Sequence, residues 1–116
     1  MDIFFLNELK SCCVDINGDR ENAGGISGVM DAYRRIMDFS ELARQEGLLA
    51  LCDACDKLDK GDRTQGFLFR LMMQVVDGDE PVVVSEMGLN MLAADEYHAY
   101  EGLIVLMYYK GACLIQ

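Results

Sequence analysis

Two cysteines at C-x-x-C spacing, Cys52 and Cys55, are the clearest candidates for chemistry in this chain of 116 residues. This spacing serves thiol–disulfide exchange or supplies half of a zinc site. A redox pair needs a thiol at a helix N-terminus, whereas these two lie inside or near the C-terminal end of a predicted helix. The negative charges of the neighbouring Asp53 and Asp56 would also raise the pKa of a thiol, which disfavours the reactive thiolate. We therefore predict buried, unmetallated and unbridged thiols, with a thiol-redox or zinc-binding domain as the alternative.

A second candidate site is a calcium-like loop at residues 15–26. Asp15, Asn17 and Asp19 occupy positions one, three and five of an EF-hand-type pattern. Position six is Arg20, where a sharp turn needs glycine, and position twelve is Ile26, where a bidentate carboxylate should stand. The segment is therefore predicted to be a polar connecting turn, and a calcium loop is kept as a third possibility.

The sole histidine, His98, stands between Tyr97 and Tyr100. No serine or cysteine nucleophile shares a motif with it, and a lone histidine on an aromatic-rich helix is typical of packing. Cys12, Cys13 or His98 could complete a zinc site at the C-x-x-C pair only if the fold brought distant segments together. We predict a non-enzymatic protein without a cofactor.

The acidic charge of the chain disfavours phosphate-bearing partners. Asp and Glu number 20 against 10 Lys and Arg, so the formal net charge is −10, and no basic run is longer than Arg34-Arg35. Such a chain repels phosphate, which disfavours nucleic acid and anionic membrane surfaces.

The longest uninterrupted apolar run, Leu103 to Tyr109, is far below the 20 or so residues of a membrane span. Membrane insertion is not expected.

The beginning of the chain and its cysteines predict a location. Met1 is followed by Asp2 instead of a basic region, so no signal peptide is predicted. Five cysteines without an export signal are typical of reduced thiols and not of a disulfide framework. The expected location is the cytoplasm.

Apolar periodicity predicts helices throughout. The first spans residues 2–13. The second begins at a Ser27 cap and has two stripes that fall out of phase at Gly47, so it is predicted to bend or turn a different face there. These stripes are Val29, Tyr33, Ile36 and Ala43, followed by Leu48, Leu51, Cys55 and Leu58.

Two further helices complete the predicted fold. Asp62 and Gln65 resemble a capping box, and the helix after them buries Leu68, Leu71, Met72 and Val75 before it ends at Gly78. A last stretch, predicted to be one long or twice-broken helix, begins at Pro81 and continues to the C-terminus, and only Gly88 and Gly102 interrupt its pattern. The prediction is a single all-α domain over residues 1–116, a small bundle of about four helices, two of them long.

Two segments resemble a known family. Residues 41–51 read Glu-Leu-Ala-Arg-x-Glu-Gly-Leu-Leu-Ala-Leu, and residues 75–81 read Val-Val-Asp-Gly-x-x-Pro. They resemble the cytoplasmic loop of MotA, the ion-channel subunit of the bacterial flagellar stator, and the helix junction after that loop. The resemblance covers roughly residues 29–100. That family conducts ions through membrane-spanning helices, and none is predicted here.

The resemblance implies a contact site. The arginine at the place of Arg44 in MotA faces charged groups on the rotor switch protein FliG, so Arg44, with its neighbours Glu41 and Gln45, is the implied partner-binding group. The family commonly has a glutamate eight residues later, where this chain has Cys52. A solvated face of an amphipathic helix is the alternative for the same three residues. We predict that Arg44 is mainly exposed, because a buried unpaired guanidinium would be costly. The implied function is a cytoplasmic protein–protein interaction module whose partner is a rotor or switch component.

The C-terminal segment predicts self-association. Residues 103–115 are apolar almost all the way round a helix, and such a helix must be covered on every side. In a small domain the other helices cover one side only, which leaves an apolar interaction patch. We predict a homodimer joined through this helix.

Overall fold

The computed structural model describes residues 6–10 and 23–115, and every regular element in these ranges is a helix. The all-α prediction is confirmed, but the described residues belong to six helices and not to about four. The structure describes residues 6–10 of the first, α1. The others are α2 (Ala23–Glu46), α3 (Leu48–Asp56), α4 (Arg63–Val76), α5 (Pro81–Ala94) and α6 (Ala99–Ile115). None of these helices is long and apolar enough to cross a membrane.

At Gly47, where a bend or a change of face was predicted within one long helix, the structure has a break between α2 and α3. Gly47 has φ +88° and ψ −175°, a backbone conformation that is essentially restricted to glycine. Its N–H still donates to the carbonyl oxygen of Ala43 at 3.1 Å, so α2 completes its last turn before the chain changes direction. This one residue therefore allows α2 and α3 to bury different faces, as their out-of-phase apolar stripes require.

Helix α2 begins at Ala23, four residues before the predicted Ser27 cap. The prediction was wrong because glycine beside the start of the helix was taken as a loop signal. A Cβ atom on Gly25 would lie 2.1 Å from the ring carbon Cδ2 of Tyr100. The missing side chain thus lets the first turn of α2 lie directly against an aromatic ring of α6.

Helix α4 has half of the predicted capping box. The side chain of Asp62 accepts a hydrogen bond from the backbone N–H of Gln65 at 3.3 Å. The side-chain oxygen of Gln65 accepts from the N–H of Asp59 at 3.0 Å, so it ties down the preceding turn instead of the cap residue. All four residues predicted for the buried face of α4 are buried, together with Phe67.

The last helical stretch is interrupted once, at residues 95–98, and neither Gly88 nor Gly102 breaks it. Both glycines are buried inside helices. A Cβ atom on Gly88 would lie 2.4 Å from Tyr109 Cδ1, so this glycine allows α5 and α6 to approach closely. The prediction failed because a glycine that serves packing looks the same in sequence as one that ends a helix.

Contacts from α4 hold the 95–98 connection. One guanidinium nitrogen of Arg63 donates to the carbonyl oxygen of Glu96 at 2.6 Å, and another pairs with Glu101 at 2.9 Å. The guanidinium also lies 4.7 Å from the ring centre of Tyr97, which packs edge-on against Phe67 at 5.9 Å between centroids. These contacts join residues distant in sequence, so local sequence does not reveal this break.

Helix α6 is the centre of the bundle, since it packs against α2, α4 and α5. Val105, Leu106, Tyr108, Tyr109 and Ala112 are buried, and Leu114 is the only large apolar residue of α6 that is mainly exposed. The open apolar side predicted for this helix is therefore absent. Apart from Leu114, the large apolar residues of 103–115 are buried or half-buried within the protein. A homodimer joined through α6 stays a prediction, and this packing leaves little apolar surface on α6 for it.

Candidate contact face on helix α2

Four large apolar side chains are exposed on the outside of α2. Ile26, Met30, Tyr33 and Met37 retain between 46% and 59% of their surface. Their spacing of four, three and four residues places them on one side of a helix. Together they form an apolar stripe that no other described element covers.

The core-facing side of α2 differs from the predicted one. Ala32, Ile36 and Phe39 are buried against the bundle, whereas Tyr33, predicted to face the core, is exposed. The error has a physical cause, because α2 has apolar residues on two sides and periodicity alone cannot say which side is covered. The 4-3-4 spacing of the exposed stripe was visible in the sequence as a signal and was missed.

The three residues implied by the family resemblance lie at the C-terminal end of the same stripe. Arg44 stands seven residues after Met37, which returns it to nearly the same direction on a helix. Its side chain is 73% exposed, as predicted, and its guanidinium pairs with Glu41 one turn earlier. The second carboxylate oxygen of Glu41 accepts a hydrogen bond from the amide of Gln45. The structure therefore brings all three side chains together in one surface cluster.

We name these residues the α2 contact face. It comprises Ile26, Met30, Tyr33, Met37, Glu41, Arg44 and Gln45. An apolar stripe that ends in a hydrogen-bonded charged cluster can bury its apolar part against a partner helix while the charges select the register. Arg34 and Asp31, an ion pair at 3.3 Å, are on the same helix.

The C-x-x-C pair does not have the environment of a reactive site. Cys55 is fully buried, and this burial, with Cys52 and Asp56 as lesser causes, raises the pKa of its thiol to about 12. Such a thiol is protonated at neutral pH and is a poor nucleophile and a poor metal ligand. Cys52 is half-buried, and both are free thiols. Within residues 6–10 and 23–115, no three His, Cys, Asp or Glu side chains are grouped to hold a metal ion.

The remaining candidates from the sequence have little structural support. His98 lies in the α5–α6 connection and not on a helix, and its exposed ring is 3.6 Å from the carboxylate of Glu96. The expectation that it packs within a helix was therefore wrong. Asp15, Asn17, Asp19 and Arg20 of the calcium-like loop, like Cys12 and Cys13, lie outside the described residues.

Comparisons with protein-family models, with curated proteins and with solved structures give no match to this chain. The similarity to MotA in residues 29–100 thus remains a hypothesis based on its two motifs.

Proposed function

We propose that this protein is a non-enzymatic protein–protein interaction module that binds its partner through the α2 contact face. The observation that supports this most is the exposed stripe of Ile26, Met30, Tyr33 and Met37, which continues into the cluster around Arg44. Single exposed apolar residues are normal on protein surfaces, but a contiguous row of four marks an interaction site.

The spacing of the stripe indicates the shape of the partner. Apolar residues that alternate at four and three residues form the seam along which one α-helix packs on another. A partner helix laid on this seam would remove apolar surface from water at about 25 cal/mol per Å². The partner surface that fits is therefore a helix with its own apolar stripe.

The charged cluster would give this contact its direction. The Arg44–Glu41 pair is exposed, and exposed pairs of this kind contribute only about 0.5 kcal/mol or less to stability. Little is therefore lost if Arg44 or Glu41 exchanges its present neighbour for a charge on a partner. Complementary charges at the edge of an interface chiefly determine specificity and association rate.

The resemblance to MotA supplies the identity that we propose for the partner. By that resemblance the protein is a counterpart of the cytoplasmic part of a MotA-like stator protein, it acts in the cytoplasm, and its partner is a component of the flagellar rotor or switch. The absence of a glutamate at Cys52 means that Arg44 would contribute most of the charged contact.

Calorimetric titration with purified FliG, the rotor switch protein, tests this proposal. Tyr33→Ser should weaken binding roughly tenfold, because it removes the largest side chain of the stripe. Arg44→Gln should weaken binding severalfold and leave the thermal midpoint almost unchanged. Arg70→Gln is the matched control, because Arg70 is another exposed arginine, on α4, and pairs with Asp95 at 3.8 Å.

The control variant should bind as tightly as the unmodified protein. Equal loss of binding in Arg70→Gln and Arg44→Gln would mean that overall charge, and not the α2 contact face, governs the contact. Failure of the unmodified protein to bind FliG would reject the motor partner. A large fall in the thermal midpoint of Arg44→Gln would make this residue structural.

A further inference from the structure

A shallow apolar depression lies at the end of the bundle where four helices begin or end. It is lined by Leu48 at the start of α3, Val75 near the end of α4, Pro81 at the start of α5 and Ile115 at the end of α6. Its volume is about 390 Å³. No residue of the α2 contact face lines it.

The chain neighbours of these lining residues are unusually exposed. Leu49, next to Leu48, is 84% exposed, Leu114, next to Ile115, is 82% exposed, and Val82, next to Pro81, is 64% exposed. These are the three most exposed large apolar side chains in the part of the chain that the structure describes. The three residues do not line the depression, but each is adjacent along the chain to one that does, so this end of the bundle has exposed apolar side chains beside the depression.

Acidic residues stand beside the lining residues along the chain. Asp79 lines the depression, Asp77 and Glu80 flank the same turn, and Glu46 stands two residues before Leu48. Lys110, one helical turn before Leu114, is the nearest basic residue along α6. We call Glu46, Asp77, Asp79 and Glu80, each of which lines the depression or lies within two residues of a residue that does, the acidic edge.

We infer that this end of the bundle binds a basic amphipathic segment of a different protein, a helix that presents leucine-like side chains between lysines or arginines. The apolar side chains would fill the depression, and the basic residues would pair with the acidic edge. A second copy of this chain would bring one acidic edge against another, and an anionic membrane would be repelled by the same charges. This inference is independent of the partner proposed for the α2 contact face.

Fluorescence anisotropy with a synthetic probe tests the inference. The probe is a labelled helical peptide with leucine on one side and lysine on the other, and the comparison peptide has glutamate in place of lysine. The lysine peptide should bind and the glutamate peptide should not. The double variant Leu49→Ser, Leu114→Ser should weaken binding roughly tenfold. Both residues are mainly exposed, so its thermal midpoint should change little.

Two further variants separate this surface from the rest of the molecule. Met30→Ser with Met37→Ser removes apolar side chains from the α2 contact face and should leave peptide binding unchanged. Asp77→Asn with Glu80→Gln should weaken binding severalfold and reduce its dependence on salt, since screening acts on exposed charges.

Several results would overturn the inference. Equal binding of the glutamate peptide would remove the role of the acidic edge. Unchanged binding in the Leu49 and Leu114 variant, or a similar loss in the Met30 and Met37 variant, would move the site elsewhere. A dimer abolished by the Leu49 and Leu114 substitutions would assign this end to a second copy, and sedimentation with anionic vesicles would assign it to a membrane.

Discussion

Cys55 shows how strongly the fold changes the chemistry of one residue. In sequence it is half of a C-x-x-C pair, a motif that serves redox or metal chemistry when a thiolate is stabilised. In the structure it is fully buried, and its pKa rises from 9.0 to about 12. Burial thus turns a motif of reactive residues into a part of the hydrophobic core.

This burial predicts a loss of stability in alkaline solution. The unfolded thiol releases its proton near pH 9, whereas the folded thiol keeps it to about pH 12. The folded state therefore binds the proton more tightly, and stability present below pH 9 is lost as the pH rises. Between about pH 8 and pH 10.5 we expect Cys55 to lower the free energy of unfolding by about 2 kcal/mol or less. Urea unfolding under reducing conditions measures this.

Cys55→Ala should remove that part of the alkaline loss. It leaves a small void, so it should also cost about 1 kcal/mol at neutral pH. Cys52→Ala is the control and should keep most of the pH dependence, because Cys55 remains in place. Burial also raises the pKa of Tyr97 and Tyr108, but both variants retain these tyrosines. Identical pH profiles for Cys55→Ala and the unmodified protein would contradict the prediction.

Two glycines in helix interiors, Gly28 and Gly88, allow the effect of helix propensity on stability to be separated from the effect of close packing. Replacement of glycine by alanine in a helix gains up to about 1 kcal/mol when space is available. A Cβ atom on Gly28 of α2 would lie 3.6 Å from Ile104 Cδ1, an ordinary contact. A Cβ atom on Gly88 of α5 would lie 2.4 Å from the Tyr109 ring, whose hydroxyl is hydrogen-bonded to the hydroxyl of Ser85 at 3.0 Å.

We therefore expect opposite outcomes from the same substitution. Gly28→Ala should raise the free energy of unfolding by up to about 1 kcal/mol. Gly88→Ala should lower it by about 1 to 3 kcal/mol, because α5 and α6 must separate. Denaturant unfolding of both variants at one pH is the measurement. Equal stabilisation of both would mean that α5 and α6 are farther apart than the structure places them.

Helix α2 has apolar residues on two sides, and only one side packs in the bundle. Ala32, Ile36 and Phe39 meet the core, and the stripe of the α2 contact face meets solvent. The local pattern of the helix is compatible with either arrangement. The close packing of α2 on α6 selects one, and thereby determines which residues are available to a partner.

The whole molecule is predicted to form a homodimer. Since α6 is largely covered by α2, α4 and α5, we now place the expected dimer interface on the stripe of the α2 contact face instead of on α6, where a second copy would compete with the proposed partner. Light scattering at tens of micromolar should show a dimer, and Met30→Glu with Met37→Glu should convert it to a monomer by placing charges in the seam. A strictly monomeric unmodified protein would reject self-association, and a dimer that survives both substitutions would place the interface elsewhere.

Sequence alone determined the helical class, the interruption at Gly47, the Asp62 cap and the exposure of Arg44. These features depend on neighbours within a few residues, through backbone sterics, capping hydrogen bonds and the local pattern of polar side chains. The same local information could not separate a glycine that breaks a helix from one that packs against Tyr109. It could not place the 95–98 connection either, because the contacts of Arg63 and Phe67 with that segment span tens of residues.

The α2 contact face also has one part that the sequence predicted and one part that only the tertiary structure decided. Arg44, Glu41 and Gln45 were identified from a motif, and their one-turn spacing on a helix accounts for their contact. The exposure of Ile26, Met30, Tyr33 and Met37 and the burial of residues 103–115 were decided by tertiary structure. An apolar side chain has the same tendency to leave water wherever it occurs, and only the packing of α6 at the centre of the bundle determines which apolar surfaces are covered and which remain for a partner.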